Sequence, residues 1–152
     1  MMAFESVIEE LKSHFSEAII DVRVLPLQET IIEAVSGEVR PIIAWLLANS
    51  DFYHLSTLTG LDNGSQIEIY YHFLNINGLS LHTELPRNHP TIDSIADLIP
   101  GASFYEREVY EMLGVQFSGS TKKQKLLMAD DWDGVSFPLR KNDEEKKIQE
   151  DR

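Results

Sequence analysis

Between residues 52 and 85 two strong turn sequences cut the chain into three β-like runs, and this stretch restricts the fold more than any other. Residues 52–61 are apolar and β-leaning. Asp62-Asn63-Gly64-Ser65 then reads as a tight turn. Residues 66–74 form a second run, and Asn75-Ile76-Asn77-Gly78 turns the chain again. Residues 79–85 alternate, with Leu79, Leu81, Thr83 and Leu85 on one face and Ser80, His82 and Glu84 on the other. Successive side chains of a strand point to opposite faces, so this period predicts one covered and one wetted face. Turns this short join antiparallel neighbours, so the stretch predicts an antiparallel meander.

The flanking sequence supplies the cover. Phe4, Val7, Ile8, Leu11 and Phe15 fall at helical spacing within residues 2–15. Residues 18–25 alternate, Ile20, Val22 and Val24 against Asp21 and Arg23, and Pro26 ends the run. Residues 29–35 are β-like and close on Ser36-Gly37, which suggests a hairpin. Residues 38–49 read as a helix with Pro41 in its first turn, where a missing N–H costs little. Residues 90–99 read as a short helix stopped by Pro100-Gly101. Ser103 looks like the N-cap of a further helix, with Glu106 as its capping-box partner, and Gly114 ends that helix after Leu113. From Ser118 onward periodicity is lost, and residues 142–152 are a mixed-charge tail expected to be solvated. The expected architecture is α+β, with helices packed on an antiparallel sheet and an irregular extended C-terminal segment. The division is a domain over 1–117 and a segment over 118–152.

At 152 residues the chain suits one core. There is no cysteine, which excludes disulfides, thiolate zinc sites, cysteine-ligated iron–sulfur clusters and a cysteine nucleophile. No apolar run approaches the roughly 20 residues that span a bilayer. The Met1-Met2-Ala3-Phe4-Glu5 start lacks the basic flank and apolar stretch of a signal peptide, so a cytoplasmic location is expected. Net charge is −12. Residues 1–100 hold 14 acidic and 4 basic residues, while residues 101–152 hold 11 and 9. Nucleic-acid binding is disfavoured, because phosphate contacts need a basic footprint.

Candidate chemistry is sparse. His14, His54, His72, His82 and His89 form neither an His-Glu-x-x-His pattern nor an i, i+4 pair. His72 and His82 lie on neighbouring expected strands, where they could be cross-strand partners; with no third ligand apparent, a solvated or hydrogen-bonded pair is favoured over a metal site. The glycines Gly101, Gly114, Gly119 and Gly134 are isolated, so no phosphate loop is formed, and no serine sits in a nucleophile motif. The sharpest cluster is Glu106, Arg107, Glu108 and Glu111. On a helix Arg107 and Glu111 stand four apart and can pair, while Tyr105, Val109 and Met112 supply an apolar stripe. The cluster is either a surface helix with an ion pair, or a helix whose charges are desolvated against a partner. Trp132, Phe137, Pro138, Leu139, Arg140 and Lys141 fall in a stretch without regular pattern. It either packs back over the domain or lies along another protein.

Residues 105–117, Tyr-Glu-Arg-Glu-Val-Tyr-Glu-Met-Leu-Gly-Val-Gln-Phe, resemble the signature of the 30 kDa subunit of respiratory complex I, the NADH:quinone oxidoreductase family. Glu111 stands where the family usually has Asp, and Leu113 where it has Phe. The resemblance extends to residues 52–62, to Leu85-Pro86-Arg87, the expected helix around Ser94 and Pro100, and to the ending from Asp131-Trp132 to Pro138-Leu139-Arg140-Lys141. It covers roughly residues 38–141. After Phe117 the family usually has a Gly-His-Pro sequence. Here the chain reads Ser118-Gly119-Ser120-Thr121, without His-Pro, and Phe137 adds an aromatic before Pro138. This variant looks more like relatives in energy-converting, membrane-bound [NiFe] hydrogenases and similar complexes.

The resemblance implies a peripheral-arm subunit with no catalytic, cofactor or metal residues of its own. Iron–sulfur clusters, and in one branch a NiFe centre, would lie in partner subunits. The partners implied are a [NiFe]-hydrogenase-like large subunit and iron–sulfur subunits, with contact to the cytoplasmic face of the membrane only through them. The interface residues implied are Tyr105, Glu106, Arg107, Glu108, Tyr110, Trp132, Phe137, Arg140 and Lys141. Two rival readings are a stand-alone small-molecule enzyme using His72, His82 and nearby acids, and a soluble regulatory binding module.

Overall fold

A computed structural model describes residues 4–121 and 124–141, the side chain of Gln28 excepted. Helix α1 (Phe4–His14) leads into β1 (Ile19–Leu25) and β2 (Glu29–Ala34), which pair as an antiparallel hairpin. Helix α2 (Val39–Asn49) follows, then β3 (Leu55–Asp62), β4 (Gln66–Leu74) and β5 (Gly78–Pro86). The last three form the expected antiparallel meander. Asp62 and Asn63 close its first turn, accepting hydrogen bonds from the backbone N–H groups of Gly64, Ser65 and Gln66.

The main sheet runs β1-β2-β5-β4-β3. It is mixed rather than wholly antiparallel, because β2 and β5 pair in parallel from Glu29↔Gly78 to Glu33↔His82. The alternation of β5 marks its two faces but cannot specify its second neighbour. That pairing is decided by where α2 and the meander return the chain. As a central strand, β5 is buried on both faces from Leu79 to Thr83.

One face of the sheet carries Ile32, Leu58, Ile67, Ile69, Tyr71, Phe73, Leu79, Leu81 and Leu85. These join Val7 and Leu11 of α1, Ile42, Ile43 and Leu46 of α2, and the third helix in one cluster. Each fully buried aliphatic side chain here contributes about 1.5–3 kcal/mol.

Residues 90–99 are not a helix. Residues 91–93 form β6 (Thr91–Asp93), parallel to β7 (Gln116–Ser118), and only one turn of helix-like bonding follows, from Ile99 N to Ile95 O. Pro90 O accepts from Gln116 N and Ser118 O accepts from Ser94 N, both at 2.8 Å. The β-branched Thr91 and Ile92 suit this extended ladder. The apolar spacing that suggested a helix instead buries Ile92 and Ile95.

Helix α3 (Ala102–Leu113) begins one residue before its expected cap. Its N-cap is Gly101, Ser103 Oγ is buried without a hydrogen-bond partner, and Glu106 points away from the helix start. The capping box therefore does not form. Gly114 ends the helix with φ +74°, and its N–H donates to Tyr110 O. Helix α3 lies on β3 where Gly60 has no side chain. A Cβ there would stand 2.6 Å from Leu113 Cδ1 and 3.0 Å from Val109 Cγ1. Tyr105 Oη donates to Ser56 O of the same strand at 2.8 Å.

Gly60→Val should therefore lever α3 off the sheet. We expect a loss of about 1–3 kcal/mol in urea unfolding with far-UV circular dichroism retained. Unchanged stability would show that α3 is not seated against Gly60.

Candidate interaction surface on helix α3

The charges of α3 are directed to the backbone of neighbouring segments. Glu106 is 1% exposed. Its Oε2 accepts from Ser94 Oγ and its Oε1 from Ile95 N, both at 2.7 Å. Burial raises its pKa, against these two hydrogen bonds that favour the anion. Arg40 of α2 grips the same turn from the other side. It donates to Ser94 O and meets Asp97 with two nitrogens, all at 2.6 Å. The family-implied interface residue Glu106 is thus an internal group that joins α3 to the turn after β6. It has no surface left with which to touch a partner.

Arg107 and Glu111, one turn apart, do not pair within 4 Å. Arg107 donates to Gln124 O and Lys125 O at 2.9 Å. Glu111, 1% exposed, accepts from the N–H groups of Leu126, Leu127 and Met128 at 2.5–3.0 Å. Burial opposes the Glu111 charge, but the three amides and nearby Arg107 outweigh it and hold the group below the usual carboxylate range. A cation thus binds carbonyls and an anion binds amides of one irregular strip, which neither helix nor sheet could satisfy.

The strip continues over α3. Tyr110, Trp132 and Phe137 form three edge-on contacts with ring centroids 5.9–6.4 Å apart. Trp132 Nε1 donates to Ser136 O, and Asp133 accepts from Val135 N and Ser136 N, all at 2.8 Å. Phe137 lies against Gly114, where a Cβ would stand 2.6 Å from its ring. Leu139 N donates to Met112 O at 3.0 Å. Arg140 donates to Leu113 O and to Arg87 O. The described stretch of the extended segment therefore packs back over the domain, and the residues after 141 lie outside the described ones.

A second clasp joins the chain's two halves. Asp62, whose side chain is fully buried, meets Arg87 Nε with both oxygens at 3.0 and 3.1 Å and accepts from Lys141 N at 2.9 Å. Arg87 also donates to Lys141 O. Burial disfavours the Asp62 anion, yet Arg87 and the amides of Lys141 and Gly64 prevail and lower its pKa. Sequence reasoning placed Asp62 in a turn and at the end of one family segment, and Arg87 in another. Their partner lies 79 residues beyond Asp62, a separation no local pattern reveals.

Of the sequence-predicted site residues, the structure brings Tyr110, Trp132 and Phe137 together on α3 near Arg107, while Arg140 bonds the end of α3 and Lys141 joins the Asp62–Arg87 clasp. Tyr105 is turned to β3, Glu106 is buried inside, and Glu108 is exposed. Beside them stand Phe104, Leu127, Val135 and Leu139, all large apolar side chains at 54–74% exposure. His72 and His82 are not direct cross-strand partners. His72 is opposite Ser80 and His82 opposite Tyr70, whose ring stacks with both imidazoles.

A helix of charged residues clasping an aromatic, irregular tail on a mixed sheet defines the class, an α+β domain with a C-terminal segment strapped across its last helix. The model of the family described as the respiratory-chain NADH dehydrogenase 30 kDa subunit matches residues 32–149, and the chain belongs to that family. It is 36% identical over 109 residues to the C subunit of the NADH-quinone oxidoreductase of Herpetosiphon aurantiacus, covering 66% of this chain and 63% of that one. It is 29% identical over 146 residues to the C subunit of the F(420)H(2) dehydrogenase of Methanosarcina mazei, covering 93% and 92%. The chain thus spans somewhat under two thirds of the first of these relatives. In fold it is similar to a chain of the membrane-bound sulfane sulfur reductase, an archaeal respiratory membrane complex, with a TM-score of 0.78 at 20% identity over 97% of this chain and 91% of that one. It is also similar to a trypsin-resistant fragment of Nqo5, with a TM-score of 0.67 at 21% identity over 78% and 97%.

Two measurements check the internal clasps. Asp62→Ala leaves a largely buried guanidinium without its anion and should cost about 3–5 kcal/mol at pH 7. Because the folded-state pKa of Asp62 is lowered, its stabilisation is complete above the unfolded value of about 3.9 and fades as pH falls below it. The stability difference between wild type and Asp62→Ala should therefore shrink towards pH 3, and a pH-independent difference would contradict the assignment. Glu106 behaves oppositely. Its raised pKa penalises the native state as pH rises past the unfolded value of about 4.3. Glu106→Gln, which retains an acceptor for Ile95 N, should be neutral or stabilising at pH 7, whereas Glu106→Ala should cost about 1–3 kcal/mol. Equal losses in both variants would show that the charge itself is required.

Proposed function

We propose that this chain is a non-catalytic subunit, without a redox cofactor, in the peripheral arm of a membrane-associated electron-transfer complex. It docks on a [NiFe]-hydrogenase-like large subunit. The observation that carries this reading is the surface over α3, where the tail is tied down internally while Leu127, Val135 and Leu139 are exposed. Interface cores favour aromatic and apolar groups on a rigid frame. Membership of the 30 kDa subunit family and the relatives' own names support the choice of complex. Electron transfer would run through iron–sulfur clusters, and a NiFe centre in the hydrogenase branch, held by partner subunits.

Among the described residues no helix is long and apolar enough to cross a membrane. Association with the cytoplasmic face through partners follows from the proposal. The branch we favour is that of membrane-bound hydrogenases and similar archaeal or bacterial complexes. Its support is the missing His-Pro after Phe117 and the nearly end-to-end match to an F(420)H(2) dehydrogenase subunit. A stand-alone enzyme or a free regulatory module has no comparable support.

Purification of a tagged chain from its native host should bring down a [NiFe]-type large subunit and iron–sulfur subunits. Recovery of the chain alone under gentle extraction would overturn the proposal. Val135→Asp and Leu139→Asp should reduce that recovery at least tenfold without lowering thermal stability. Arg107→Ala, which frees the strip at Gln124 and Lys125, should weaken assembly while the isolated domain stays folded.

A further inference from the structure

The face of the sheet opposite the helices holds a cluster that the α3 surface does not use. Glu68 and Glu84 stand directly opposite each other on β4 and β5. Like charges so placed repel. His82, two pairs along and so on the same face, is opposite Tyr70 on one side and Glu33 of β2 on the other. The imidazole is 4% exposed, and neither ring nitrogen has a hydrogen bond. A buried ring with both nitrogens unsatisfied needs an explanation.

Its surroundings are ordered around the ring. Tyr70 stacks on it at 4.4 Å between centroids and 18° between planes. The Nε2 atom lies 3.5 Å from Glu68 Oε2, and Nδ1 lies 3.9 Å from Glu33 Oε2. One ligand atom from each of Glu68, His82 and Glu84 falls within 4.8 Å of the others. Glu68 is itself oriented by Asn63 Nδ2 at 2.7 Å and Tyr70 Oη at 2.8 Å. The nearby cation Arg23 is paired with Asp21 at 3.4 Å.

We propose that Glu68, His82 and Glu84 form a binding site for one divalent transition-metal ion, with zinc the best fit. Bonds of about 2.0–2.1 Å at a tetrahedral angle separate ligand atoms by about 3.3–3.4 Å, close to the Nε2–Glu68 distance. Glu84 is exposed and closes the remaining gap by a side-chain rotation. Imidazole with two carboxylates suits zinc and its neighbours, whereas magnesium and calcium prefer all-oxygen shells. On metal binding Glu33, 3.9 Å from Nδ1, would close on the second ring N–H, fix the tautomer and leave Nε2 free for the metal. The ion would bind β4 to β5 and neutralise the facing Glu68 and Glu84. The fourth position opens to solvent beside Glu84. His72 stands outside this group, and its Nδ1 is 2.8 Å from Ser80 Oγ.

The site is independent of the assembly proposal, and its test requires no partner. The full chain, stripped with a chelator, is titrated calorimetrically with zinc chloride. One equivalent should bind saturably and raise the melting temperature. Affinity should fall at least tenfold in Glu84→Gln, an exposed change that leaves the fold intact, and about tenfold in Glu33→Gln. In His82→Asn the site should be lost. The nitrogen resonances of the His82 ring should shift on zinc addition while those of His14 and His54 do not. Absence of saturable binding, or binding that Glu84→Gln leaves unchanged, overturns the proposal.

Discussion

Residues 124–141 lie against the domain without entering its sheets or helices, and their peptide groups still need partners. That requirement organises the C-terminal half of the structure. Arg107 takes two carbonyls, Glu111 takes three amides, and Asp62 with Arg87 holds both backbone groups of Lys141. Each is a charge-assisted hydrogen bond, the stronger kind. A charged helix that looks like a surface element is thereby the scaffold on which an irregular strip is laid.

The arrangement links stability to presentation. Because polar side chains of α3 secure the strip from beneath, the strip's apolar side chains are left facing outward on a fixed backbone. If a partner docks there as proposed, it would meet a surface already ordered and avoid much of the entropy loss that a free tail would incur. Glu106 and Arg40 do the same for the layer beneath. They grip the turn at Ser94 from α3 and α2, and so set the height of α3 over the sheet. The family resemblance assigned Glu106 to an interface, and the structure moves its role inward. Charge in a signature motif is therefore not by itself a sign of surface contact.

The outer face of the sheet follows a different logic. There the period-2 pattern of β4 and β5 puts carboxylates, Tyr70 and His82 on one side. The parallel arrival of β2 adds Glu33 and encloses the imidazole. Among the described residues, the histidine's neighbours are side chains of adjacent strands. Its environment is therefore set by strand register alone.

The hairpin, the meander, α1, α2 and α3 were legible because each repeats an apolar period between recognisable turn or helix-end residues. The meander was clearest, since Asn63-Gly64 and Asn77-Gly78 leave little choice of direction. The family motifs were likewise legible as ordered residue strings. Other features were decided only in three dimensions. Residues 90–99 have helical spacing, yet a parallel ladder to β7 claims their backbone. Ser103 and Glu106 have capping-box spacing, yet the buried turn at Ser94 claims the carboxylate. The β2–β5 pairing, the Asp62–Arg87–Lys141 clasp and the grip of Arg107 and Glu111 on residues 124–128 join groups far apart in the chain. Local sequence fixes which faces are apolar and where the chain turns, because those depend on neighbours within a few residues. Which distant backbone group a buried charge must satisfy depends on what the folded chain brings beside it, and only the tertiary structure decides that.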